Sequence, residues 1–242
     1  MPQAPRLIVL GRQGAGKGTQ CQRLAARLGV RHVATGDLLR AEISARTPLG
    51  LKVEAAVSTG HLVVDDLVLD VVVGRLSSYE ARHGGYLLDG FPRTVTQAEA
   101  LFDQVGPLAA DLAIELHVPT EVAVARLAAR RVCRGCGTTS TARAADPPVR
   151  ACENCGDEVA RRPDDTEEAI RRRLAIYDRE SGPLLEWLAD KDLLVTVDGV
   201  ARADQVQARL LDALSARLPG ALPWAIAGSA PGDVRGVKGM AG

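Results

Sequence analysis

The stretch "GRQGAGKGTQ", Gly11 to Gln20, restricts the possible folds of this chain more than any other. It follows "RLIVL", a short apolar run rich in branched residues, and precedes "CQRLAARL", whose apolar residues have helical spacing. The pattern G-x-x-x-x-G-K begins at Gly11, and Lys17 follows its last glycine, Gly16. A strand, a glycine loop and a helix start in immediate succession build an anion cradle. Glycines let successive backbone N–H groups turn inward toward phosphate oxygens, and the helix start adds its dipole and unpaired N–H groups. Lys17 can then reach the β- and γ-phosphates of a nucleotide. Only 4 of the 30 basic residues are lysines, so a lysine here carries more weight than any single arginine. A compact, flexible charge suits a group that must be followed as it moves.

Gly18 stands where the general motif has a hydroxyl, and Thr19 comes one step later. Mg²⁺ must therefore rely on phosphates, water and a carboxylate. Asp89, at the end of the apolar run "GYLLDG", is the candidate.

Five apolar runs, "RLIVLG", "RHVAT", "GYLLDG", "LAIELHV" and "LLVTVDG", alternate with helical patterns. That alternation predicts an α/β fold, a doubly wound five-stranded parallel sheet with helices on both faces. Open sheets of this kind bind ligands at their strand ends. Two stretches interrupt the rhythm and read as inserted lobes, 35–64 and 126–163. The core is then expected from 1–34, 65–125 and 164–218. The tail 219–242 is rich in Gly, Ala and Pro without periodicity and is expected to be disordered. No internal repeat is found.

The net charge is zero and there are only seven aromatic residues, which argues against an electrostatic or stacking surface for nucleic acid. No apolar run approaches the roughly 20 residues of a membrane helix. With no signal-peptide pattern at the start, a cytoplasmic protein is expected. Cys21, alone in the first helix, reads as a buried small apolar residue.

The segments "GKGTQ", "TGDLLR" and "DGFPRT", in this order, resemble adenylate kinase and its nucleoside monophosphate kinase relatives, over about Leu7 to Arg217. The resemblance implies an ATP site at Gly14, Ala15, Gly16, Lys17, Gly18 and Thr19, with Arg126 and Arg130 flanking the base and phosphates. It implies a monophosphate site of Thr35, Gly36 and Arg40, backbone contacts at Leu62, Val63 and Val64, then Gly90, Arg93 on the AMP phosphate and Gln97 on adenine. Arg162 and Arg173 resemble the arginines that close on the transferring phosphoryl group. Thr35 together with Gln97 is similar to the adenylate-specific pattern; a UMP or CMP kinase is the alternative. A phosphate-loop module holding nucleic acid with a cysteine ribbon is a more distant one. The family also implies a monomer.

The residue chemistry agrees with that resemblance. Phosphoryl transfer requires positioning and charge neutralisation, so a lysine, Mg²⁺ and converging arginines (Lys17, Arg93, Arg130, Arg162, Arg173) with Asp89 are the expected equipment. AMP already carries a nucleophilic oxyanion, so no general base is needed. Arg126 and Arg130, four apart, are expected on one helix face, whereas Arg171 and Arg172 follow Glu167 and Glu168 by four and read as a solvated ion-paired face.

Cys133, Cys136, Cys152 and Cys155 form C-x2-C, fifteen residues, C-x2-C. Each pair is followed by glycine, and the spacing predicts a closed structural Zn²⁺ site with no open position. Disulfides are the alternative, disfavoured in the cytoplasm. The lobe has few apolar residues, so coordination is what can order it. It resembles the zinc-bearing lid of some bacterial adenylate kinases, except that "TTST" stands where that family commonly has an aromatic–histidine pair. The expected reaction is reversible transfer of the ATP γ-phosphoryl to AMP, giving two ADP.

Overall fold

The computed structural model describes residues 4–58, 65–76, 85–106, 109–142, 147, 149–161 and 166–219. Leu62, Val63, Val64, Arg162 and the tail from residue 220 lie outside the described residues.

Each of the five apolar runs becomes a strand of one parallel sheet: β1 Arg6–Leu10, β2 Arg31–Ala34, β3 Tyr86–Asp89, β4 Leu112–His117 and β9 Leu194–Asp198, in the order β2-β3-β1-β4-β9. β1 lies between β3 and β4, with Ile8 opposite Leu88 and Ala113. Its run of branched residues suits a strand covered on both faces. The two faces are read off alternate positions of β1. Leu7 and Val9 join a cluster with Leu24, Leu127, Leu174 and Leu210, whereas Ile8 and Leu10 join one with Phe91, Leu101, Leu184 and Leu188.

The described helices are α1 Lys17–Leu28, α2 Thr35–Ser44, α3 Pro48–Ser58, α4 Asp65–Leu76, α5 Val95–Val105, α6 Thr120–Ala129, α7 Glu167–Asp190 and α8 Ala203–Arg217. α1, α6 and α8 supply the first cluster, α4 and α5 the second. α7 serves both, through Ile170 and Leu174 near its start and Leu184 and Leu188 near its end. Its 24 residues give it a length of about 36 Å at ~1.5 Å per residue, enough to pass from one cluster to the other.

Between β2 and α4 the chain forms α2 and α3, which pack on each other. Thr47 caps α3: its Oγ1 accepts from Gly50 N at 2.9 Å, and Pro48 takes the first helical position.

The cysteine-rich stretch forms a separate antiparallel sheet of β5 Arg130–Cys133, β6 Thr139–Thr141, β7 Arg150–Ala151 and β8 Glu158–Ala160, in the order β6-β5-β8-β7. One sequence expectation is corrected here. α6 ends at Ala129, and Arg130 has extended geometry (φ −65°, ψ 137°) as the first residue of β5, opposite Thr141. Arg126 and Arg130 therefore do not share a helix face. Four-residue spacing describes a helix only while its hydrogen-bond ladder continues, and here the pairing with β6 ends it.

Candidate active site

The strand ends of the parallel sheet open on a cleft of about 1020 Å³. The glycine loop and the start of α1 form one wall. Gly14 has φ +82°, and a Cβ there would stand 2.7 Å from Ala123 O, so only glycine lets the loop approach α6 this closely. Gly16 is the left-handed N-cap of α1, which aims the helix start into the cleft. Lys17 Nζ donates to Gly11 O and to Arg12 O, the latter at 3.1 Å. The ammonium is folded back on the carbonyls of its own loop. Burial holds its pKa below the ordinary lysine value, Asp89 opposing and Arg93 assisting. A desolvated cation of this kind gains most from an arriving anion.

β3 delivers Asp89 to the same space, its carboxylate a tenth exposed. A Cβ on Gly18 would lie 4.0 Å from Asp89 Oδ2. The position lacking a hydroxyl thus faces the carboxylate that was expected to replace it. Thr35, the first residue of α2, is buried, and its Oγ1 donates to Asp89 O at 3.0 Å. Gly36 and Arg40 follow along the wall, with Arg40 ion-paired to Asp37.

After β3 the chain turns through Gly90 at φ +81°, and Arg93 Nε donates to Gly90 O at 3.0 Å. Crowding by protein atoms lowers the Arg93 pKa, with Asp89 and then Glu180 opposing. Gln97 is placed differently from its neighbours: it is 6% exposed, it is not among the cleft-lining residues, and its Oε1 accepts from Arg93 N at 2.7 Å.

Arg126, Arg130 and Arg173 also line the cleft. Arg126 holds the loop from outside, donating to Ala15 O at 3.1 Å and to Gly199 O at 3.0 Å. Arg172 is exposed. Arg171 bonds Glu167 and Glu121, the latter carboxyl held below its ordinary range first by the hydrogen bond from Arg171. Both residues lie on the solvated face that the sequence predicts, and of the expected ion pairs the structure shows those of Arg171.

Sequence reasoning missed several residues of this site. Tyr177 and Glu180 line the cleft four and seven residues after Arg173, on the same stripe of α7, so helical periodicity applied from Arg173 would have found them. Burial pushes the Tyr177 hydroxyl up to about 12. Arg12 is the larger omission. It projects from the glycine loop to donate to Asp178 Oδ1 at 2.6 Å, Thr120 Oγ1 at 2.9 Å and Val118 O at 3.2 Å. That ties the loop to α7, the helix carrying Arg173. The signal was a charge inside a loop otherwise poor in side chains.

The antiparallel sheet reaches the cleft through Cys136 to Thr141, so "TTST" faces it. Further into that sheet the four clustered cysteines come together. Their Sγ atoms lie within 4.8 Å of one another, with 3.4 Å between Cys133 and Cys155 and 3.6 Å between Cys136 and Cys152. None is in a disulfide. Four thiolates at about 2.3 Å from a tetrahedral ion would stand about 3.8 Å apart, so the cluster fits such a metal. Gly137 (φ +71°) and Gly156 (φ +80°) turn each knuckle in the left-handed region. Their N–H groups donate to Cys133 O and Cys152 O.

Comparison with known proteins settles the class. A family model described as Adenylate kinase matches residues 9–193. The chain belongs to the adenylate kinase family. It is 42% identical over 204 residues to the adenylate kinase of Clostridium novyi (strain NT), covering 83% of this chain and 94% of that one. Over 216 residues it is 40% identical to the adenylate kinase of Syntrophotalea carbinolica, covering 88% of this chain and 100% of the relative. With that of Trichlorobacter lovleyi it shares 42% over 213 residues, covering 86% and 98%. Membership makes the chain a phosphotransferase of a family that binds ATP, AMP and ADP and uses Mg²⁺ with ATP. Among the described residues no helix is long and apolar enough to cross a membrane.

Proposed function

We propose that the cleft performs reversible transfer of the ATP γ-phosphoryl to AMP, with the following division of labour. The loop Gly14 to Thr19 holds the donor phosphates, and Lys17 leaves the Gly11 and Arg12 carbonyls to follow the moving phosphoryl group. Arg93 holds the AMP phosphate; Thr35, Gly36, Arg40 and Gly90 form the acceptor wall, with Gln97 and backbone at Leu62 to Val64 reading the base. Arg130, Arg162 and Arg173 neutralise charge as the bond to the acceptor forms, and Arg126 positions the loop. Asp89 is the residue that would hold Mg²⁺ and its water. When bound, that ion offsets the charge of the donor phosphates. The acceptor oxygen is already ionised, so the protein contributes alignment and electrostatics rather than a base.

One observation carries this reading. Lys17, Asp89, Arg93 and Arg173 come from distant parts of the chain and line the same cleft. Segments 35–64 and 126–163 act in it as lobes that close over the acceptor and donor sites. The four cysteines hold a structural Zn²⁺ in the second. A monomer in the cytoplasm, where thiols stay reduced, is the setting that fits such a site.

The deciding experiment offers AMP, UMP, CMP and GMP as acceptors with ATP·Mg²⁺ in a coupled assay of diphosphate formation. AMP is expected to give the highest kcat/KM. Faster turnover of UMP or CMP would overturn the acceptor assignment and leave the phosphotransferase class intact.

A further inference from the structure

Beside the transfer machinery lies a second group of ligand-type side chains that the reaction does not use as a set. Cys21 follows Lys17 by one turn of α1, His32 belongs to β2, and Asp89 ends β3. The Sγ, imidazole and carboxylate ligand atoms of these three residues all lie within 4.8 Å of one another. His32 Nε2 stands 3.4 Å from Asp89 Oδ2. Cys21 is fully buried, while His32 and Asp89 open onto the cleft.

We propose that Cys21 Sγ, His32 Nε2 and Asp89 Oδ2 form a second divalent-cation site, selective for ions of the Zn²⁺ type, whose occupancy inhibits transfer by withdrawing Asp89 from the nucleotide. The donor set decides the selectivity. One sulfur, one imidazole nitrogen and one carboxylate oxygen suit Zn²⁺ or Co²⁺, whereas Mg²⁺ takes oxygen ligands in an octahedron. Three protein ligands leave a tetrahedral ion one position, on the side where His32 and Asp89 meet the cleft.

Burial keeps the Cys21 thiol protonated, well above its ordinary range. Binding is therefore an exchange: the S–H bond breaks, a metal–sulfur bond forms, and one proton leaves to solvent. The inhibitory half of the proposal rests on the role assigned above to Asp89; the binding half does not.

The test uses full-length protein carrying its lid metal. Wild type, Cys21→Ala and His32→Gln, all retaining the four lid cysteines, are equilibrated at buffered free Zn²⁺ without nucleotide, and bound metal is counted. Wild type is expected to hold one equivalent more than either variant. A Co²⁺ titration should show a matching loss of sulfur-to-cobalt charge-transfer absorption in Cys21→Ala. In the transfer assay without added Zn²⁺, Cys21→Ala should match wild type. The Zn²⁺ concentration for half inhibition should rise roughly tenfold or more, since losing a direct ligand costs at least as much as losing an outer-shell partner. Equal metal content in wild type and a folded variant overturns the site. An extra equivalent in wild type without inhibition supports the site and overturns the role given to Asp89. If Cys21→Ala does not fold, His32→Gln makes the same comparison.

Discussion

The parallel sheet and the cysteine sheet are two ways of holding strands together. In β1 the four residues Leu7 to Leu10 are 0–4% exposed, and helices cover both faces. Among the described residues, the buried cluster of the cysteine sheet consists of Cys133, Cys152 and Val159. Burying a leucine-sized side chain contributes about 1.5–3 kcal/mol, so apolar burial can hold the first sheet, while the described residues of the second bury few such side chains. What the second has instead is four sulfur atoms at metal-binding separation. The cleft lies where the two meet, lined by Arg173 from α7 and by Arg130 from β5 of the cysteine sheet. The difference teaches that the region carrying the glycine loop is held by packing, while the region facing it has a thiol cluster in place of a packed core.

The strongest challenge to this division is at the cleft. Arg173→Ala should lower kcat on the order of 10³-fold with little change in KM, as for an arginine engaged mainly in the transition state. Arg93→Ala should instead raise KM for AMP well above KM for ATP. Steady-state kinetics with both substrates varied, on folded protein, separates the two. Near-normal kcat for Arg173→Ala would remove the core side from the chemistry.

Packing is tested next by Leu88→Ala. Leu88 is fully buried in the middle of β3, and its truncation should cost about 2–5 kcal/mol in denaturant unfolding. A loss below about 1 kcal/mol would mean the sheet is not held as described.

Removing metal should have a smaller and more local effect. The purified chain is expected to hold about one zinc, as a closed four-thiolate site requires. Stripping it should lower Tm and expose peptide bonds within residues 130–160 to protease while the core stays resistant. Unchanged melting and proteolysis after chelation would place the cysteine sheet with the packed region.

A finer effect is expected from the Arg12 to Asp178 contact, whose side chains are 20% and 39% exposed. A double-mutant cycle of Arg12→Ala and Asp178→Ala should give a coupling of about 1 kcal/mol or less in stability. If the contact also aligns α7 with the loop, kcat falls in both single variants and no further in the double. Additive losses would show that it does not. Arg172→Ala and Arg171→Ala are the smallest perturbations, and both should leave kcat and Tm essentially unchanged.

Much of the site was legible before any coordinates. The glycine loop, Lys17 and Asp89 follow from patterns spanning a few positions, the four cysteines from two C-x2-C pairs, and Arg93 from the resemblance of "DGFPRT" to the family. The conformation of Arg130 was not legible, since its spacing from Arg126 is helical while the residue pairs with Thr141, eleven residues further on. Gln97, proposed to read the base, also holds Arg93 N through its Oε1, a contact the sequence does not announce. That partner is four residues away, but the bond exists only because the turn after β3 brings the N–H round to the start of α5.

The amino-acid order by itself determined the alternation of strands and helices, the anion-binding loop and the thiolate cluster, because hydrophobic period, glycine placement and cysteine spacing are short-range properties. Only the tertiary structure decided which charges share the cleft, that Lys17 rests on Gly11 and Arg12, that Arg12 reaches α7, and that Cys21 and His32 converge on Asp89. Those contacts join residues tens to more than a hundred positions apart, apart from the lysine's own loop. Strand order and helix packing, rather than any local period, bring such residues within reach.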